Sequence, residues 1–338
     1  MLIKNLKHKK KGLLIILSLV VFLIAVRLLL VFLRPKTSDG IKQAAYMYAQ
    51  PKDTIDVVCM GSSHVLCGVN PQVLWDEYGI ASYDYAAAEQ PLWLTYYYMK
   101  EICRYQKPKV IVLDMFSPAR FKDDYQYRWL SDNLNGVRFS PNKLRMALAG
   151  CEKNKIFDYF PSFYNYHGRY DEIGMDDINE MLRTDYTRSA YKGYNLTYKV
   201  EERTVPVFET SEQGGLTDKS EEYLNKIIEY AEEQNIELCW IVIPYSITED
   251  DERTYNQLDK IAKENNIPFS NYNINYEQIG LDYKSDFSDY SHLNYYGGCK
   301  FTRFLAQELK ERYDIPDRRG DKRWESWDRQ EYEERGEN

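Results

Sequence analysis

The sequence predicts an α/β fold built on a mostly parallel sheet with helices on both faces. From Ile55 onward, apolar runs of strand length alternate with segments of helical periodicity. Val110-Ile111-Val112-Leu113 is continuously apolar, as a strand must be when both its faces are covered. The same alternation resumes late in the chain, with Leu238-Cys239-Trp240-Ile241-Val242-Ile243 as its strongest strand. Strands alternating with helices imply a parallel sheet, and such sheets place their sites at the carboxyl ends of strands.

In chain order, Lys4, Lys7, Lys9, Lys10 and Lys11 precede an apolar run, Gly12 to Leu33, broken only by Ser18 and Arg27. About 20 apolar residues cross a bilayer core, and a basic flank stays in the cytoplasm. No small-x-small cleavage site or lipobox cysteine follows, so residues 1–34 are expected to form an uncleaved signal anchor. The chain beyond it is expected outside the cytoplasm, with Arg27 either snorkelling to the outer interface or pairing with an acidic group of a membrane partner. Residues 35–54, with Pro35 and Pro51, are expected to form a linker.

The main domain is expected over 55–315. It opens with a strand at 55–60, a short helix at 69–78, a strand at 81–86, a helix at 92–105 and a strand at 109–115. Between about 120 and 215 the alternation stops. This aromatic-rich stretch, with Phe157-Asp158-Tyr159-Phe160 and Phe163-Tyr164-Asn165-Tyr166-His167, reads as a mainly helical insertion. After Gly214-Gly215, Ser220 is expected to cap a helix whose Leu224, Ile227, Ile228 and Ala231 recur at helical spacing. A strand at 237–244, a helix at 252–264, a weak strand at 268–272 and a closing helix at 295–311 complete the domain. Residues 316–338 are highly charged and are expected to be disordered.

The net charge of −8 argues against a nucleic-acid partner, since phosphate binding requires clustered Lys and Arg. Tyrosine occurs 31 times, which fits either the codon usage of an AT-rich bacterium or a surface that stacks on sugars. The six cysteines lack C-x-x-C spacing, and Cys59 and Cys239 fall inside strands as small hydrophobes. No metal-ligand cluster or phosphate-binding glycine loop is present, so no cofactor is expected.

Two short motifs carry chemistry: Gly61-Ser62-Ser63-His64 closes the first strand, and Asp289-Tyr290-Ser291-His292 precedes the last helix. A serine hydroxyl needs an imidazole to take its proton, and that imidazole needs a carboxylate to hold its tautomer. Of the four histidines, His8 lies in the expected cytoplasmic flank, and His64 adjoins Ser63 too closely to serve as its base and is left as an oxyanion or substrate-contact candidate. His167, in the insertion, is either a groove residue or a packing residue. His292 has Asp289 three residues earlier to orient its Nδ1, leaving Nε2 for Ser63. Tyr245, after the strand at 237–244, is a candidate substrate contact at the carboxyl edge.

Gly61-Ser62-Ser63-His64 resembles the G-D-S-L block of SGNH (GDSL-type) hydrolases, and Asp289-x-x-His292 resembles that family's final block. The resemblance covers the units at 55–115 and 220–310. It implies a flavodoxin-like three-layer fold, with Ser63 as nucleophile, His292 as general base and Asp289 as its orienting acid. The family also uses a Gly and an Asn from two intervening blocks as oxyanion donors. This chain instead reads Tyr85-Ala86-Ala87-Ala88-Glu89-Gln90 and Leu113-Asp114-Met115-Phe116-Ser117-Pro118. The replacement candidates are a backbone N–H near Ala88 and the Gln90 amide. One missing donor costs roughly 3 kcal/mol of transition-state stabilisation.

The N-terminal anchor makes the chain similar to the family's membrane-bound branch. That branch includes the D-alanine-transfer protein of teichoic acid synthesis and the partners of membrane-bound O-acyltransferases. The resemblance implies an acyl group received on Ser63 from a multi-span membrane acyltransferase and passed to a bacterial surface glycan. Deacylation of such a glycan is the other outcome. A different class of reading is a catalytically inactive module of this fold that binds glycan or scaffolds the acyltransferase.

Overall fold

In the computed structural model, the described residues are 2–123, 129–152, 155–156, 166–182, 190–206 and 210–328. Helix α1 (Leu2–Leu33) contains the one span among them, Lys10–Leu33, long and apolar enough to cross a membrane.

The domain beyond it is α/β around a five-stranded sheet, β1 (Val57–Met60), β2 (Ser82–Asp84), β3 (Val110–Asp114), β4 (Glu237–Val242) and β5 (Phe269–Asn271). The order is β2-β1-β3-β4-β5, and every pairing is parallel. The two-residue period divides each strand between two cores. Val58, Met60, Ile111, Leu113, Leu238, Trp240 and Val242 join one apolar cluster. Val57, Cys59, Val110, Val112, Cys239, Ile241 and Ile243 join the other. With helices packed over both faces, the strands read as unbroken apolar runs.

Five helices of the first half follow α1: α2 (Ile41–Ala49), α3 (Ser63–Gly68), α4 (Pro71–Tyr78), α5 (Leu92–Ile102) and α6 (Phe116–Arg120). The segment expected as a linker therefore holds a packed helix. Ile41, Ala44, Tyr46 and Met47 of α2 are buried, because their spacing gives one apolar face. The helix expected at 69–78 is α4, which starts where the Asn70 side chain accepts from the Gln72 N–H ahead of Pro71, and α3 before it is a further helix that the sequence reading did not place.

In the insertion, α7 (Leu130–Gly136), α8 (Pro141–Gly150) and α9 (Met175–Leu182) are helical, as expected, with a 3-10 turn at His167–Asp171. Most of both aromatic runs lies outside the described residues. Residues 194–206 carry no helix and run across the domain, where the Asn195 N–H donates to the Leu66 carbonyl and the Glu201 N–H to that of Phe287.

Helices α10 (Asp218–Gln234), α11 (Glu249–Glu264), α12 (Tyr276–Ile279) and α13 (Tyr295–Arg312) complete the fold. The cap of α10 is Thr217 rather than Ser220. The Thr217 hydroxyl accepts from the Ser220 N–H, so Ser220 stands one turn inside the helix. Helix α11 begins at Glu249 because Thr248 and Asp251 form a reciprocal cap there.

The described part of the tail also departs from expectation, while residues 329–338 of that segment lie outside the described residues. Residues 316–328 pack against the domain: Arg318 makes a two-pronged ion pair with Asp56, and Trp324 and Trp327 are buried. Two tryptophans supply enough apolar area to dock a segment whose overall composition is charged.

A candidate serine active site at the sheet edge

Three pieces of chain meet where β1 and β3 end. The first is the turn from β1 into α3. Gly61 has φ 151°, and a Cβ there would sit 2.9 Å from the Asp114 Cβ, so glycine is needed to pass β3 closely. Ser62 is the N-cap of α3, which makes Ser63 its first residue. The Ser63 N–H is thus one of the four that a helix leaves without an internal partner. Its side chain is half-exposed at the carboxyl edge of the sheet.

The second piece is a tight loop ahead of α13. Phe287 and Leu293 form an antiparallel bridge, and the Ser288 N–H donates to the His292 carbonyl at 2.9 Å. Inside it, Asp289 Oδ1 accepts from the backbone N–H of Ser291 at 2.8 Å and of His292 at 3.0 Å. Asp289 thereby sets the loop's shape and also meets the imidazole, with His292 Nδ1 3.0 Å from each of its oxygens. The Ser246 N–H, after β4, donates to the Tyr290 carbonyl and fixes the loop to the sheet edge. Asn294 then caps α13.

These pieces bring His292 Nε2 to 2.7 Å from Ser63 Oγ. Burial alone would raise the Asp289 pKa. The hydrogen bond and charge of His292, with the two backbone N–H donors, overcome that and bring it down to about 2. Asp289 is therefore ionised at neutral pH and holds the Nδ1–H tautomer, which frees Nε2 to accept the serine proton.

The third piece comes from β3 and α6. His64 is fully buried, with its ring stacked on Phe116 at 3.8 Å and edge-on to Tyr245 at 5.0 Å. Its Nε2 lies 2.8 Å from Ser291 Oγ, so the two motifs pair crosswise, Ser63 with His292 and Ser291 with His64. Burial first, then the neighbouring His292 and Arg120, push the His64 pKa well below its ordinary value. It is a neutral ring behind the site, bonded to Ser291 and buried, so it does not line an open substrate surface. Arg120 closes this wall, paired with Asp251 at 2.7 Å and 5.5 Å from the Tyr245 ring centre.

The remaining candidates separate. Tyr245 is buried and its hydroxyl pairs with that of Tyr255 at 2.6 Å, so it packs against His64 instead of lining an open surface. Gln90 is buried with Nε2 donating to Thr95 Oγ1 at 2.9 Å, and the Ala88 carbonyl accepts from Asn133. The turn holding them, with Glu89 at φ 49°, follows β2 at the same carboxyl edge. His167 is exposed, on a turn tied to the end of α1 through Arg169 and the Leu33 carbonyl.

Sequence reasoning missed Ser291, Phe116, Arg120 and Asp114. Ser291 was visible as the serine beside His292. Asp114 is buried directly against Gly61, and burial pushes its pKa up to about 7, opposed by the N–H groups of Ile243 and Phe116. An acidic residue ending an apolar strand was the available signal.

No protein-family model matches this chain, and no curated protein matches it significantly.

Proposed function

We propose that the protein is a serine acyl-ester enzyme of the SGNH type, working through an acyl-Ser63 intermediate. The observation that carries this reading is the line Asp289–His292–Ser63, with hydrogen-bond distances at both joints. The strand order 2-1-3-4-5 supports the flavodoxin-like arrangement of that family.

In the reaction, Ser63 Oγ bonds to the acyl carbon while its proton passes to His292 Nε2. The imidazolium, stabilised by ionised Asp289, returns that proton to the departing alkoxide as the ester C–O bond breaks. An incoming hydroxyl then gives its proton to Nε2, attacks the acyl-serine and restores Ser63. Water as that hydroxyl gives deacylation, and a sugar gives transfer. The developing oxyanion is held by the Ser63 N–H, with a backbone N–H of the 86–90 turn as the second donor.

The apolar helix α1 supports a single-pass anchor, with the basic flank inside and the domain outside the cytoplasm. A surface glycan is then the accessible acceptor, and a multi-span membrane O-acyltransferase the natural acyl donor. A glycan-binding module without catalysis is the second reading. It is favoured by the placement of the Gln90 amide on Thr95, which commits that candidate donor elsewhere.

Turnover of p-nitrophenyl acetate by the full chain decides between them. Ser63→Ala and His292→Ala are each expected to lower kcat at least about a thousandfold. Wild-type turnover no higher than that of Ser63→Ala would favour the binding module. An added sugar acceptor that gains the acetyl group would mark transfer over hydrolysis.

A further inference from the structure

Helix α9 is amphipathic, yet it is turned inside out. Two of its acidic residues face the protein, while Asp176 and Asn179 are exposed: Asp177 pairs with Arg169 at 2.9 Å, and Glu180 accepts from the Tyr46 hydroxyl at 2.5 Å. Its apolar side faces outward, with Met175 65%, Ile178 38%, Met181 44% and Leu182 73% exposed. A surface helix in water places these residues the other way round. An apolar face left outside calls for an apolar surrounding.

The place of this helix says what that surrounding is. Arg169, which anchors α9 through Asp177, also donates to the Leu33 carbonyl at 2.8 Å, and Leu33 is the last residue of the apolar span. Lys36 covers the end of α1, donating to the carbonyls of Val31, Phe32 and Arg34, and the charge of Asp177 acts on it. Arg34 donates to the Asn135 carbonyl, bringing the end of α7 to the same place. Asp177, on the inward side of α9, is therefore tied through Arg169 to the end of the apolar span, and Arg34, Lys36 and Arg169 stand at that junction. Cations beside an apolar span take the level of lipid headgroups.

We infer that the outward face of α9 lies in the interfacial layer of the bilayer, in the leaflet where α1 ends. The domain is then held by two elements, a spanning helix and an in-plane helix, instead of swinging on a single tether. This orients the domain, and with it the edge bearing Ser63, relative to the membrane. The inference rests on the reading of α1 as a membrane anchor.

The test uses the full chain in vesicles of phosphatidylethanolamine and phosphatidylglycerol, with a fraction of the lipid brominated near the top of the acyl chains. A tryptophan is introduced by Leu182→Trp or Met175→Trp on α9, by Phe32→Trp in α1, or by Ile274→Trp at an exposed site after β5. Emission is compared with wild type. The added emission of both α9 variants is expected to be blue-shifted and mostly lost to bromine, as at Phe32→Trp, while that of Ile274→Trp persists. Quenching at Phe32→Trp but at neither α9 variant would overturn the inference, leaving that face to a protein partner. No quenching at Phe32→Trp would overturn the anchor itself, and the inference with it.

Discussion

Between Ser63 and His292 a separation of 2.7 Å joins residues 229 positions apart, and Asp289 completes the line from within the same loop as His292. These three were legible because each motif is local: a strand-end serine, and a carboxylate three residues before a histidine. The wall behind them was not legible. His64 could be set aside as a base from its position, but its stacking on Phe116 and its bond to Ser291 depend on how distant strands end. Asp114 shows the same limit, since only the register of β1 and β3 reveals that it faces Gly61. Its raised pKa makes a testable cost. A buried acid with a folded value of about 7 against 3.8 destabilises the fold increasingly as pH rises between those values. Asp114→Asn removes that cost while keeping an acceptor for the Ile243 N–H. The variant is expected to gain on wild type as pH rises, by at most about 4 kcal/mol at about pH 8. Urea unfolding at about pH 5 and about pH 8 measures it, and an advantage that shrinks toward alkaline pH would contradict the assignment.

Among the elements, the strands and the long helices followed from apolar periodicity, because burial on two faces leaves an unbroken run. The segments misread were those whose docking rests on a few large side chains. The tail after Pro316 is charged by composition, yet Trp327 is fully buried: Nε1–H donates to the Ser82 carbonyl at 3.1 Å, and Lys192 Nζ stands 3.7 Å from the ring centre. The tail thus covers β2 at the edge of the sheet, where an uncovered strand would be a liability. Trp327→Ala is expected to cost about 3–5 kcal/mol. Chemical unfolding of the full chain measures that loss, and a change within about 0.5 kcal/mol would show the tail to be a passive appendage.

On the scale of the whole molecule, a membrane-competent helix, a parallel α/β domain and a half-exposed Ser–His–Asp line combine into one proposal. In that proposal, chemistry at the carboxyl edge of the sheet acts on material near a membrane. The helix long and apolar enough to span a membrane was legible as a run of apolar residues behind lysines. The inverted face of α9 was not, because its spacing is that of any amphipathic helix, and only its neighbours reveal which side is inward. The proposal stands on Ser63 being the group that takes the acyl chain, with Ser291 as the internal alternative, since it too lies on a histidine. Labelling the full chain with a fluorophosphonate, and locating the adduct by peptide mass, tests this directly. The adduct is expected on Ser63, absent in Ser63→Ala and much reduced in His292→Ala. An adduct on Ser291, or none under conditions that label an active serine esterase, would contradict it.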